Sequence, residues 1–405
     1  MANFNAALKQ NPFYENQKDA DNWMDAFKNL IGILEKTENE TKVIFIDELP
    51  WMDTRDAGLI PAIDYFWNSW ASARNDIKLI VCGSAASWMI DKLLKNTKGL
   101  YNRVTNKIKL KPFSLKETKE YLIANGGNYD NYQIIEIYMA LGGVPYYLNY
   151  IKQNESAAQN INRLFFGEQA KLRDEYNLLF ASLFKNYQKH TAIIAALSTK
   201  KKGLFKNEIV KATNIKDGGT LTKLLKELEA SDFIREYAMP GKKTRNNMYQ
   251  LTDNFTLFFK NFVENSNASE DNLWINSINT PQYYTWAGNA FEIVCLIHTQ
   301  EIKKALGISG IQTTTYAWSN SKTQIDLIFD RKDNVINLIE IKFSDDKFTI
   351  SKDYEAKLLH KLTEFKESIK TKKAIWLILL STYALASVNN TRAIHTNLKM
   401  DVLFE

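Results

Sequence analysis

Gln324-Ile-Asp-Leu-Ile-Phe329, a polar turn from Asp330 to Asn334, and Val335-Ile-Asn-Leu-Ile-Glu-Ile-Lys342 decide how the C-terminal third of this chain is read. Both apolar runs are rich in strand-favouring residues and are separated by turn formers, which predicts a hairpin with a five-residue connection. Side chains alternate between the two faces of a strand. Pairing Phe329 with Val335 therefore places Asp326, Glu340 and Lys342 on one face, with Glu340 opposite Gln324 and diagonal to Asp326. The opposite face carries Ile325, Leu327, Phe329, Ile339, Ile341 and Phe343, and is expected to pack on helices.

Two carboxylates beside an ammonium suit metal-dependent phosphodiester chemistry. Hard oxygen ligands hold Mg²⁺, and a nearby cation orients water and steadies charge on the phosphate. Without a cation, neighbouring buried carboxylates raise each other's pKa at a cost in free energy. A solvated, ion-paired strand face would show the same Asp-x13-Glu-x-Lys spacing. The apolar opposite faces and a preceding helix, expected at about 285–305 with Glu292 on it, favour the metal reading. Cys295 and His298 share that helix at a spacing able to ligate metal, but no second Cys or His pair lies near them, so they read as a packed face.

The 405 residues call for two or three domains, and 45% apolar with 24% charged residues excludes disordered and collagen-like classes. No long apolar run or secretory leader is evident, so a cytoplasmic chain without membrane partners is expected. The two cysteines, Cys82 and Cys295, sit in apolar stretches and do not suggest disulfides. A net charge of +6 permits nucleic-acid contact without requiring it.

Upstream, the pattern is α/β. Trp23, Phe27, Leu30, Ile31 and Leu34 fall on one helix face, and Lys42-Val-Ile-Phe-Ile46 reads as a strand buried on both faces, ending in Asp47-Glu48. A helix at about 58–74, with Ile60, Ile63, Trp67 and Trp70 inward, leads to a second strand, Ile77–Cys82, ending in Gly83-Ser84. A third extended run, Lys107–Pro112, precedes the capping box Ser114-Leu-Lys-Glu117, and helices then dominate. From His190 to Tyr249 the order is helix, helix, helix and two extended runs about the turn Pro240–Arg245, the pattern of a winged helix. Its third helix buries Leu221, Leu224, Leu225 and Leu228 and exposes Lys223 and Lys226, while Lys242, Lys243 and Arg245 sit at the wing tip; these five cations are the candidate DNA or RNA contacts. The polar run 264–272 reads as a linker.

Asp326 with Glu340-Ile-Lys342 and Glu292 resembles the PD-(D/E)XK nuclease superfamily. The resemblance implies that Glu292, Asp326 and Glu340 ligate Mg²⁺ and that Lys342 serves the attacking water. Asp47-Glu48 resembles a Walker B terminus, which implies Mg²⁺ on Asp47 and water activation by Glu48; Ser84 matches a polar sensor, Arg103 an arginine finger, and Gly143-Val-Pro145 the GxP motif of STAND-type ATPases. Over residues 20 to 405 the chain resembles an archaeal and bacterial AAA+ ATPase family ending in a nuclease-like domain. The resemblance implies a partial AAA+ core at 1–112 with an incomplete P-loop-type parallel sheet, a helical lid at 113–185, a winged helix at 186–263 and a nuclease-like domain at 264–405. The alternative is a non-catalytic DNA- or protein-binding scaffold whose ATPase cycle belongs to a longer form.

A phosphate-binding loop needs G-x-x-x-x-G-K-[ST] ahead of the Walker B strand, because backbone amides at a helix start and the lysine cradle the phosphates. That pattern does not occur: the Gly241-Lys242 pair lies in the wing, is followed by Lys243, and has Glu236 where the first glycine belongs. The expectation is a chain that begins late, with open sheet edges inviting self-association. ATP is thus the family's cofactor but is expected to bind this chain weakly or not at all. Calorimetric titration with ATP should show no saturable micromolar binding; a micromolar Kd would overturn the expectation.

Overall fold

The computed structural model describes the chain except residues 16–17, 38–39, 55–56, 85, 96–101, 238–246, 268–270, 321 and 387–392. Its residues form a mixed α/β architecture in two compact units, residues 1–109 and 110–405. Among the described residues, no helix is long and apolar enough to cross a membrane.

In the first unit, β1 (Lys42–Ile46) pairs in parallel with β2 (Ile77–Val81), Lys42 opposite Ile77 and Ile46 opposite Val81. The helices Trp23–Leu34 and Leu59–Ser69 cover one face, where Phe27, Ile33, Ala62, Ile63 and Phe66 are buried. The inward residues of the second helix are thus Leu59, Ala62, Ile63 and Phe66, while Ile60 and Trp67 are half-buried. β1 is not buried on both faces: Val43 is 59% and Phe45 60% exposed. A short apolar run records strand propensity but not how many layers cover it. The run 107–112 forms no strand, and Ile108 and Leu110 stay exposed.

The second unit begins with the expected capping box, in which the Glu117 amide donates to Ser114 Oγ and the Ser114 amide to Glu117 Oε2. Gly142 (φ 71) ends the helix Asn131–Leu141 in the left-handed region. Gly143 (φ 63) follows it, with no room for a Cβ, which would meet the Phe113 carbonyl oxygen at 2.3 Å. Its role in this fold is a close backbone approach. The helices Tyr187–Ser198, Lys206–Thr213 and Gly219–Ala230 accompany a small antiparallel sheet of β3 (Leu204–Phe205), β4 (Ile234–Tyr237) and β5 (Met248–Leu251), with β5 central. Leu221, Leu224, Leu225 and Leu228 are buried, as their spacing predicts. The stretch 264–272 is tied down where it is described: Arg173 donates to the Ser266 carbonyl at 2.6 Å and Asn162 to that of Asp271 at 2.5 Å. One apolar core runs from Leu115 to Leu403 across it.

The C-terminal sheet comprises β6 (Thr313–Ser319), β7 (Gln324–Arg331), β8 (Val335–Lys342), β9 (Ala374–Ser381) and β10 (Thr396–Lys399), ordered β10-β9-β8-β7-β6. β6, β7 and β8 are antiparallel neighbours, whereas β9 runs parallel to both β8 and β10. Phe329 pairs with Asn337, not Val335, so residues 332–334 make a three-residue connection with Asn334 left-handed at φ 66. The slip of two residues keeps Leu327, Phe329, Ile339 and Ile341 on their predicted face, but the register of β6 against β7 shifts between Tyr316 and Trp318, and Ile325 packs with Ile328 and Leu338 instead of with Leu327. Leu327, Phe329, Ile339 and Ile341 join the large core. Ile328, Ile336 and Leu338 lie under the helix Lys352–Ile369, so both sheet faces are covered.

The helix expected at 285–305 runs from Pro281 to Ile297, with Glu292 and Cys295 buried within it, and His298 caps its end. His298 Nδ1 lies 2.8 Å from the Val294 carbonyl and Nε2 accepts the Leu115 amide at 2.9 Å, joining this helix to the one beginning at Leu115. An acceptor Nε2 must be unprotonated. Burial lowers the His298 pKa from its ordinary 6.5, so the unfolded chain binds the proton more readily than the fold does. The stability that His298 contributes is present above that value and falls as the pH drops below it, by at most about 1.4 kcal/mol per pH unit. Urea melts across pH 5 to 8 should flatten in His298→Gln relative to the parent; identical pH profiles would rule the contact out as a source of acid sensitivity.

Candidate functional site

Asp326 and Glu340 each adjoin the last β7–β8 pair, Leu327–Ile339. Their shared face opens into a cleft of about 460 Å³, and Glu292, reaching from the helix Pro281–Ile297, lines the same cleft with Lys342. Rigid elements carry all four groups: neighbouring strands supply three and a helix of 17 residues the fourth. Lys342 Nζ sits over the rings of Phe348 and Tyr354, 5.4 and 5.9 Å from their centroids, which steadies the ammonium near the carboxylates.

Each carboxylate also has a protein donor. Lys361 reaches both oxygens of Glu340, at 2.9 and 2.7 Å, and Tyr354 adds a hydroxyl at 3.1 Å. Gln324 donates to Asp326, and Lys201 makes an ion pair with Glu292. Burial, with the charge of Asp326 added to it, raises the Glu292 carboxyl well above the ordinary carboxylate range, against the opposing pull of Lys201. Burial pulls the Lys201 ammonium down, but Glu292, Asp326 and Glu340 together outweigh it and raise its pKa. Among the described residues, no three His, Cys, Asp or Glu side chains form a ready-made metal cage. The donor chemistry nevertheless fits a hard cation: three carboxylates share one cleft, and an ammonium already stands beside the most buried of them.

Lys201 and Lys361 enlarge the predicted set. Lys201 lies 91 residues from its partner, and only the basic run Lys200-Lys201-Lys202 before Gly203 marks it. Cys295 and His298 do not join the cleft; both are buried in helix packing.

In the first unit, Asp47 and Glu48 follow β1 at its C-terminal end, the customary ligand edge of a parallel sheet. Ser84 Oγ donates to Glu48 Oε2 at 3.0 Å and Cys82 Sγ to Asp47 Oδ1 at 2.5 Å, so Asp47, Glu48 and Ser84 form one hydrogen-bonded edge. Glu48 is left-handed at φ 48, a conformation costing a non-glycine residue about 1–2 kcal/mol. Arg103 is exposed and makes no hydrogen bond or ion pair among the described residues. Pro145 belongs to the second unit, where it opens the short helix Pro145–Leu148. Lys223 and Lys226 are exposed, Lys223 lying 3.7 Å from Glu227, whereas Lys242, Lys243 and Arg245 fall outside the described residues.

No family model matches the chain. An uncharacterized protein of Methanocaldococcus jannaschii is 26% identical over 310 residues, 75% of this chain and 68% of that protein. A Walker-type ATPase of Pyrococcus abyssi is similar in structure with a TM-score of 0.46 at 18% identity, covering 64% of this chain and 75% of that one.

Proposed function

We propose that the second unit ends in a PD-(D/E)XK nuclease-like domain that hydrolyses phosphodiester bonds with Mg²⁺, preceded by a winged helix that contacts nucleic acid. The first unit, in this reading, is built like the Walker B half of an AAA+ ATPase. The observation that carries the proposal is the convergence of Glu292, Asp326, Glu340 and Lys342 on one cleft. Chance surface charge rarely sets two strands and a helix to line a single cavity with acids, one of them 6% exposed.

Glu292, Asp326 and Glu340 would hold the ion, which when bound supplies Lewis-acid polarisation of a phosphoryl oxygen and a more acidic water. Lys342, held over two aromatic rings, would orient that water and offset charge building on the phosphate. The exposed Lys223 and Lys226, with Lys242, Lys243 and Arg245, would add sequence-independent phosphate contacts. Asp47, Glu48 and Ser84 are the candidate nucleotide contacts of the first unit, with Arg103 and Pro145 assigned by the family resemblance.

A second reading, a scaffold that binds DNA, RNA or a protein without cleaving, gains from one observation: Lys361 and Tyr354 together occupy the oxygens of Glu340. The two readings part in one assay. The purified chain with single- and double-stranded DNA and RNA, and with Mg²⁺ or Mn²⁺, should cleave at least one substrate. Glu340→Ala and Lys342→Ala should each reduce the rate by about 10²-fold or more. Equal cleavage by parent and variants, or none by the parent, hands the site to the scaffold reading.

A further inference from the structure

The turn that carries Lys201 is built with more constraint than a surface loop requires. Gly203 (φ 86) lies so close to β5 that a Cβ would meet the Tyr249 carbonyl oxygen at 2.1 Å, and its amide closes the turn on the Lys200 carbonyl at 2.8 Å. The buried Gln250 donates to the Lys201 carbonyl at 2.8 Å, and Tyr237 donates to the Lys202 carbonyl at 2.5 Å. Gln250 in turn accepts from Arg235 at 2.8 Å. Strands β4 and β5 therefore fix the backbone at Lys201 and Lys202. From that fixed point its ammonium enters the carboxylate cleft and pairs with Glu292, whose side chain is 8% exposed.

We propose that Lys201 is an intramolecular stand-in for the metal: its ammonium occupies the cation position beside Glu292, and a divalent ion binds only as Lys201 withdraws. The inference rests on reading the cleft as a metal centre. An ammonium is a compact cation on a flexible four-carbon stem, so it can neutralise a carboxylate cluster and leave it without moving the backbone. Two cations cannot share one carboxylate position, so the apparent metal affinity is reduced by the fraction of molecules in which Lys201 is already out. The consequence joins two parts of the unit. A contact that shifts the β4–β5 sheet, such as nucleic acid engaging the neighbouring helix at Lys223 and Lys226, would also shift the residue that gates the ion.

The test is Mn²⁺ binding by the full chain, measured by calorimetry and by electron paramagnetic resonance of the free ion, with no substrate present. Lys201→Met should bind Mn²⁺ about tenfold tighter than the parent, or more. Lys201→Gln, which keeps a polar head at this partly exposed position, should also tighten binding and serves if the methionine variant does not fold. Glu292→Gln should weaken binding in both the parent and the Lys201→Met background. Equal or weaker binding by both Lys201 variants, with the parent binding measurably, overturns the stand-in and leaves the metal centre intact. Absence of Mn²⁺ binding from parent and variants alike sinks the metal centre, and the stand-in with it.

Discussion

Burying a carboxylate among other carboxylates is the constraint around which the second unit is organised. Glu292 is nearly out of contact with water, on a helix packed into the main core, and it feels the charges of Asp326 and Glu340 across one cleft. Like charges in a partly desolvated site repel far more strongly than in water, and the cost falls only when cations are held close. Lys201, Lys342 and Lys361 all line this cleft. The local balance is three acids against three ammonium groups, while the chain as a whole carries a net charge of +6. A stability function alone would be served better by apolar side chains of similar volume, which need no such compensation.

Much of this was legible because it depends on parity. An antiparallel hairpin sorts residues by odd and even position, and a register error of two residues leaves that sorting unchanged. The turn was misjudged by two residues, yet Leu327, Phe329, Ile339 and Ile341 kept their common face; Ile325, past the register shift in β7, did not. The helix acid was legible for a similar reason, since Glu292 interrupts a run of apolar residues that a buried helix would otherwise keep intact. What the residues concealed was everything set by neighbours distant in sequence. Lys201 meets Glu292 through the docking of the β4–β5 sheet, and no local pattern encodes that docking. The helix Lys352–Ile369, which brings Lys361 to Glu340, packs over the face that holds Ile328, Ile336 and Leu338.

The first unit shows the complementary failure. An unbroken apolar strand was taken as evidence for cover on both sides, yet the two helices bury only one side of β1 and β2. Propensity and burial are separate quantities: the run Val43-Ile-Phe45 is strand-forming whatever covers it. The strand ends were more informative than the strand faces. Asp47, Glu48 and Ser84 do meet through side-chain hydrogen bonds, and the left-handed Glu48 is held in a conformation that backbone sterics disfavour. Strain of this kind persists where the surroundings over-determine it; here the Leu49 amide bonds the Cys82 carbonyl at 2.9 Å just after it.

The two candidate sites thus differ in what holds them ready. At the end of β1, hydroxyl, thiol and amide donors, all of them neutral, engage Asp47 and Glu48. In the cleft of the second unit, ammonium groups do the holding at Glu292 and Glu340. Neutral donors orient a carboxylate for a later ligand at little cost to its charge, whereas a lysine must be displaced first. The carboxylates of the two sites are therefore held by donors of different charge, ammonium groups at Glu292 and Glu340 and neutral groups at Asp47 and Glu48.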